Sequence, residues 1–439
     1  MISKNKKYKT IYYSISSELI TKTEIEIIKR ASKYGRVIIG LLTDSAIAEY
    51  KRIPFLGFKE RYDIISNIKL VSEVVPQVSR DYTYNLKKIR PDYIIHEDND
   101  WKIGIQKKIR ENVIRTIKKW KGKLIEVKIN QISKEDYTKN KIGSVNHLPE
   151  YRVSKLKRLM EVKDLVKIIE VHSPISALMI EELKIERNNR IQEFDGFWSS
   201  SLTDSVLRGK PDTEVVDIST RLQSINDIFE VTTKPLVFDA DTGGKIDHIG
   251  YSIRNLERLG VSAVIIEDKI GLKRNSLFGN SVKQKQDTIS SFCKKIKTAK
   301  KEQKTEDFMV IARIESLILD AGVDDALLRA KRYIQAGADA IMIHSRQKTL
   351  FEIKKFCKKY NQLKSRKPLV LVPTTYNFVK ESELIKLRVN LVIYANHLMR
   401  SSIPAMEIAA TSILKNKRSF EIENKLMSIN KIINMIPGV

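Results

Sequence analysis

The sequence predicts two α/β domains: a Rossmann-like open parallel sheet over about residues 1–135 and a (β/α)8 TIM barrel over 152–439, with 136–151 as linker. Three observations lead there. The 439 residues exceed the usual size of one domain. Short apolar runs alternate with helical patterns along the chain, as parallel strands joined by crossover helices require. In the second half eight such runs fall within 300 residues, each turning polar at its C-terminal end.

Taken in order, Thr10 to Tyr13 is a short strand, and TKTEIEIIKRASKYG has apolar residues at helical spacing with a glycine stop. RVIIGLLTD is an apolar strand ending in polar residues. The same rhythm runs through ERYDIISNIKL, VSEVVPQ and PDYIIHEDND, and GKLIEVKIN closes the sheet. From Gln131 to Tyr151 the pattern weakens, and SKEDYTKNKIGSVNHLPEY reads as linker. The second half then gives KIIEVHS, EFDGFWSS, PLVFDADT, SAVIIEDK, FMVIARIES, ADAIMIHS, PLVLVPT and VNLVIYAN as strands. Helical patterns such as SALMIEELKI, HIGYSIRNLERLG, DALLRAKRYIQAG and PAMEIAATSILKN lie between or after them. The right-handed crossover rule leaves few alternatives to a barrel.

Composition bounds the function. Lys+Arg number 80 against Asp+Glu 53, a formal +27 that favours anionic partners. The lysines fall at helical spacing, as in FEIKKFCKKYNQLKSRK, so solvated helix faces are expected rather than a nucleic-acid surface. The two cysteines, Cys293 and Cys357, fit neither a metal spacing nor a disulfide framework. MISKNKKYKT is basic but no apolar signal region follows, and no run approaches eighteen apolar residues. A cytoplasmic protein with no membrane span is expected.

The polar strand ends pair Trp198 with Ser199 to Ser201, Asp239 with Asp241, Glu267 with Asp268, Arg313 with Glu315, and His344 with Ser345. In a barrel these ends meet at one mouth, where catalysis is built. Asp239, Asp241 and Glu267 suit a hard cation, Mg2+ with Mn2+ as substitute, which takes a few carboxylates and keeps waters. The alternative is that they pair with Arg313 or Lys273. Arg313 offers a rigid fork for phosphate or carboxylate, and His344 can donate to an oxygen or accept a proton. After Glu267 the loop EDKIGLKRNS supplies Lys273, Asn275 and Ser276, with Gly271 as a hinge, and can close over an anionic substrate.

The segments FDGFWSSSLTDSVLRGKPD, VFDADTGG, IIEDKIGLKRNSLFG, ARIES, DAIMIHS, VPTTYN and VIYANHLMR, in this order, resemble the phosphoenolpyruvate mutase family of the isocitrate lyase superfamily. Carbon–carbon lyases of that superfamily carry a loop of KKCGH or KRCGH type, where this chain has Lys273-Arg274-Asn275-Ser276. The resemblance implies Mg2+ arranged by Asp239, Asp241 and Glu267, and a substrate carboxylate held by Ser200, Ser201 and Leu202 near Trp198. It makes Asp212 the buried active-site aspartate, lets Arg313 and His344 receive a migrating phosphoryl group, and makes Lys273, Asn275, Ser276 and Leu277 the gating loop. The implied reaction interconverts phosphoenolpyruvate and phosphonopyruvate in phosphonate biosynthesis, with phosphonopyruvate hydrolase as runner-up and a C–C lyase behind it. A homodimer or tetramer and a phosphonopyruvate decarboxylase acting downstream are also implied.

The first half resembles cytidylyltransferases of the glycerol-3-phosphate type, through RASKYGRVIIGLLTD, FLGFKERYDIISNIKLVSEVVPQ and IRPDYIIHEDNDWK. That family has an HxGH motif after its first strand, where this chain has ITKTEIEII. Only Ile132-Ser133-Lys134 remains of a later signature. A domain that kept its fold and lost its catalysis is expected.

Overall fold

A computed structural model describes residues 8–16, 20–50, 53–97, 104–128, 147–187, 190–276, 278 and 282–436. The chain divides into two compact units: Met1–Thr138 with Ile185–Gln192, and Lys139–Lys184 with Glu193–Val439. Ile132-Ser133-Lys134 and most of the expected linker lie outside the described residues.

In the first unit β1 (Thr10–Ile15), β2 (Arg36–Leu42), β3 (Val71–Gln77), β4 (Tyr93–Glu97) and β5 (Lys123–Val127) form an open parallel sheet of order β3-β2-β1-β4-β5. Its inner strands β1 and β2 are buried along nearly their whole length because both faces are covered, whereas the edge strands β3 and β5 are partly exposed. Ile27, Ile28 and Ala31 of helix Lys22–Ser32 pack on one face, and Leu86 and Val113 of two later helices pack on the other. ERYDIISNIKL is mostly helix, Phe58–Ser66. At Gly40 a Cβ would come within 1.8 Å of the Tyr12 hydroxyl, which donates to Gln77 at 2.8 Å. Only glycine leaves room for that buried pair.

The remaining strands are β6 (Val166–Glu170), β7 (Ile185–Arg187), β8 (Arg190–Gln192), β9 (Gly196–Ser199), β10 (Leu236–Asp239), β11 (Ala263–Glu267), β12 (Lys269–Ile270), β13 (Lys285–Gln286), β14 (Met309–Ile314), β15 (Ala340–Ile343), β16 (Leu369–Leu371) and β17 (Leu391–Tyr394). Eight of them close a parallel barrel in chain order, β6-β9-β10-β11-β14-β15-β16-β17 and back to β6. Each expected apolar run of the second half supplies one barrel strand, so the barrel is a TIM barrel. Two short antiparallel ribbons, β7 with β8 and β12 with β13, were not foreseen, since strands of two or three residues leave no periodicity to read.

Helix Pro149–Val162 begins inside the stretch read as linker. Its buried Arg152 donates to Thr232 O at 2.8 Å and Phe229 O at 3.4 Å, satisfying carbonyls at the end of helix Ile218–Val231. The last barrel helix starts at His397, ahead of the expected PAMEIAATSILKN, so Pro404 lies inside it. Among the described residues no helix is long and apolar enough to cross a membrane.

Candidate active site

Beyond the carboxyl ends of the barrel strands lies a cavity of about 70 Å3, far below the roughly 300–1,000 Å3 of sites for drug-sized ligands. It suits a substrate of few atoms. Trp198 ends in this cavity from β9, and Ser200, Ser201 and Leu202 follow it on the turn into helix Ser201–Val206. Asp239 comes from β10, Glu267 from β11, Arg313 from β14, and His344 follows β15. Asp212, Lys273, Asn275 and Ser276 complete the wall from loops. Asp241 stands just behind, and Leu277 lies outside the described residues.

Asp239 and Asp241 owe their places to a turn that puts Asp241 in the left-handed region, φ 53°, where aspartate is tolerated better than most residues. Arg221, buried on helix Ile218–Val231, holds this turn from below. Its Nε donates to Asp204 Oδ2 at 2.7 Å, its Nη1 to the Asp239 carbonyl at 2.5 Å, and Nη1 is 3.7 Å from Asp241 Oδ2. From above, the Lys273 ammonium pairs with Asp212 and Asp241 and donates to Ser201 Oγ at 2.7 Å. Burial works against the lysine's charge, yet Asp241, Asp239 and Asp212 hold its pKa above the ordinary lysine value. Asn275 Nδ2 donates to the other Asp212 oxygen at 2.9 Å, so one carboxylate ties down both loop residues.

The other wall is a second charge network. Arg313 donates through Nε to Glu315 Oε1 at 2.6 Å and through Nη2 to Ser276 Oγ at 2.7 Å, and the same Nη2 is 3.5 Å from Glu267 Oε2. It also lies 3.3 Å from His344 Nδ1. A guanidinium only donates, so Nδ1 accepts and the imidazole proton sits on Nε2. That Nε2 is buried with no hydrogen-bond partner. Lys269 lies beneath, 3.2 Å from Glu267, 3.4 Å from Glu315 and within 3.0 Å of Ser276 Oγ.

The pairing of these carboxylates with lysine and arginine, one of the two alternatives read from sequence, is therefore present. It does not complete all of them. Asp241 Oδ1 touches the Lys273 ammonium, whereas Glu267 Oε1 is buried and accepts no hydrogen bond, although Lys269 faces it at 3.2 Å. Burial, with the Asp239 charge next, pushes the Asp241 carboxyl up to about 6; burial pushes Glu267 up to about 7 in spite of Arg313 and Lys269. Asp239 is also opposed by burial, but Lys273, Arg313 and Arg221 hold it below its ordinary value. Buried carboxylates whose charge is held back even beside lysine and arginine fit a divalent cation. Among the described residues no three His, Cys, Asp or Glu side chains converge closely enough to enclose an ion alone. Magnesium does not require it, because it keeps several waters beside one or two carboxylates.

Sequence reasoning noted Glu315 only as a polar strand end and missed Arg221, Lys269, Met342, Val372, Thr374, Ala395 and Asn396. Arg221 sits in the first turn of its helix with no local signal. Lys269 stands within EDKIGLKRNS but looks there like one lysine among many. Asp268, also noted at a strand end, points away and binds Arg329, Tyr333 and the Glu315 N–H, a structural clamp.

Known proteins match the barrel portion of the chain. Residues 156–414 match the family model described as phosphoenolpyruvate phosphomutase. A phosphoenolpyruvate phosphomutase of Tetrahymena pyriformis is 34% identical over 285 residues, 65% of this chain and 91% of the relative. A phosphonopyruvate hydrolase of Variovorax sp. (strain Pal2) is 34% identical over 282 residues, 64% of this chain and 93% of the relative. Among solved structures, phosphonopyruvate hydrolase complexed with oxalate and Mg++ superposes with a TM-score of 0.57 at 32% identity, covering 64% of this chain and 94% of that one. With more than half of its length matched, and the barrel and cavity in place, this chain belongs to the phosphoenolpyruvate phosphomutase family.

Proposed function

We propose that the barrel is a phosphoenolpyruvate mutase, interconverting phosphoenolpyruvate and phosphonopyruvate by moving one phosphoryl group within the substrate. The observation that carries this reading is the donor pair on one cavity wall: the Arg313 fork beside a neutral His344 whose Nε2–H has no partner. A phosphoryl group with three charged oxygens answers both. The O–P bond to the enol oxygen breaks and that oxygen becomes the C2 carbonyl, while the C2–C3 π pair forms the C3–P bond. No proton is gained or lost. Ser200, Ser201 and Leu202 hold the substrate carboxylate near Trp198, and Arg313 and His344 follow the phosphoryl oxygens. Lys273 and Asn275, both tied to Asp212, keep water from a loose, metaphosphate-like group. Mg2+, with Mn2+ as substitute, would be held by Asp239, Asp241 and Glu267, and when bound it supplies positive charge to the substrate oxygens.

The same residues serve a second reading, phosphonopyruvate hydrolase, which the relative at 34% identity supports equally. Phosphorus NMR of phosphonopyruvate with enzyme and Mg2+ separates them. Phosphoenolpyruvate as main product is the mutase; phosphate and pyruvate in equal amounts from the first turnovers, without phosphoenolpyruvate, is the hydrolase.

We infer further that the first unit is a cytidylyltransferase-like domain without catalysis. Its open parallel sheet of order β3-β2-β1-β4-β5 supports the fold. At the expected motif position Thr21 and Glu24 form a helix capping box, so these side chains serve the helix start. CTP with phosphonate or phospho-alcohol acceptors should release no pyrophosphate. A homodimer or tetramer fits the apolar exposure of the last barrel helix, where Ile403, Met406 and Ile408 are each about half exposed, and light scattering measures it. A cytoplasmic setting and a phosphonopyruvate decarboxylase drawing off the product belong to the same reading.

A further inference from the structure

Asn396 occupies the N-cap of helix His397–Asn416 but does not cap it. An asparagine there ordinarily accepts from the N–H of the second or third helical residue. Here those two groups, Leu398 N and Met399 N, donate instead to Glu170 Oε2 at 3.1 and 3.3 Å. Glu170 ends β6, is fully buried, and receives His172 Nδ1 on its other oxygen at 2.6 Å. A carboxylate is a stronger acceptor than an amide and suits the positive end of a helix. The Asn396 amide is thereby released. Its Nδ2 donates past the end of β6 to Ser200 Oγ and Thr203 Oγ1, both at 2.8 Å, while Asn396 lines the cavity. Its backbone is left-handed, φ 60°, which orients the side chain away from its own helix and toward the Ser200 turn.

We infer that Asn396 is a positioning residue of this cavity: it fixes the Ser200–Thr203 turn against which a substrate carboxylate rests, and Glu170 supports it by taking over the helix cap. This rests on the proposed role of Ser200 to Leu202 as the carboxylate cradle. The sequence between these partners is long, 228 residues from Glu170 to Leu398 and 196 from Ser200 to Asn396, so the link exists only in the folded barrel. The Asn396 amide spends its donors on Ser200 and Thr203, and the Glu170 carboxylate is taken up by His172 and the helix start, away from the carboxylates assigned to the metal. Their effect should therefore appear in ligand affinity.

The test is calorimetric titration of the full-length protein with oxalate in the presence of Mg2+, beside thermal melting and phosphonopyruvate kinetics. Asn396→Gly keeps the left-handed backbone and deletes only the amide. It should weaken oxalate binding about tenfold, because the turn under the carboxylate loses both of its ties to the amide, with Tm held within about 2 °C. Glu170→Ala should weaken oxalate to a similar extent and also lower Tm, and Glu170→Gln, whose amide oxygen still accepts, should recover most of the affinity. The double variant Asn396→Gly with Glu170→Ala should bind oxalate no worse than the weaker single variant, because both act through one contact. Unchanged oxalate affinity in Asn396→Gly, or a loss of Tm without one of affinity, overturns the role of Asn396; multiplying effects in the double variant overturn that of Glu170. Wild-type protein that binds oxalate but converts neither phosphonopyruvate nor phosphoenolpyruvate removes the mutase reading alone and leaves the positioning role measurable. Wild-type protein that does not bind oxalate overturns both.

Discussion

His344 shows how far a single residue is set by its neighbours. Burial first, and the Arg313 charge next, bring its pKa down to about 4, so the ring is neutral over the physiological range. Its folded pKa lies below the ordinary 6.5, hence the unfolded chain binds the proton first. The ring's contribution is fully present above about pH 6.5 and is lost as pH falls toward 4. Melting curves should show wild-type Tm falling through that window more steeply than Tm of His344→Gln; parallel curves would contradict the neutral, buried ring. For catalysis the tautomer matters. Gln places an amide N–H near the position of Nε2, whereas Asn reaches only the position of Nδ1. We expect kcat/KM to fall about 100-fold or more in His344→Asn, as for loss of one preorganised donor, and clearly less in His344→Gln. Equal losses would mean that Nε2 is not the working atom.

On the proposed mutase reading, the element that keeps isomerisation from turning into hydrolysis is the loop between β12 and β13. Its first residue, Gly271, has φ 85° with nothing within 4 Å of a Cβ placed there, so backbone conformation and not space selects glycine. Gly271→Ala should strain the loop by roughly 1–2 kcal/mol, with Gly271→Asn milder. Deeper in the loop, Asn275 and Lys273 meet on Asp212. Asn275→Ala releases one of those ties. Isomerisation should slow by roughly two powers of ten, and the share of phosphorus appearing as free phosphate in NMR should rise. If the rate falls with no phosphate released, the loop orders the substrate but does not keep it dry.

At the scale of the whole molecule, the two units have separate apolar cores, the barrel's drawn from Val153 to Val392 and the first unit's from Ile11 to Val127. A core of its own is what an independently folding domain needs. A fragment beginning at residue 147 should therefore keep the barrel activity, provided it retains helix Pro149–Val162, whose Arg152 and Lys155 bind the carbonyls of Thr232 and Thr233. Activity lost from a soluble, folded fragment would tie the first unit to catalysis. Metal dependence belongs to this scale too, because the carboxylates come from separate strands. Excess chelator should stop turnover, Mg2+ or Mn2+ should restore it, and Asp239→Ala should cost several powers of ten. Full turnover in chelator would remove the metal from the mechanism.

The sequence by itself determined the eight barrel strands, their order and the polar residues at their ends, because strand periodicity and a polar stop are local features that each segment carries alone. It also brought Asp239, Glu267, Arg313 and His344 to one mouth, since a barrel in chain order leaves strand ends nowhere else to go. What it left open were partners. Arg221 beneath Asp239, Lys269 between Glu267 and Glu315, and Glu170 under the last helix look in sequence like ordinary charges on a helix, a loop and a strand. Only the tertiary structure decided them, because a buried charge is chosen by whichever opposite charge or bare backbone group the fold brings within about 3 Å, often from a segment some 200 residues away.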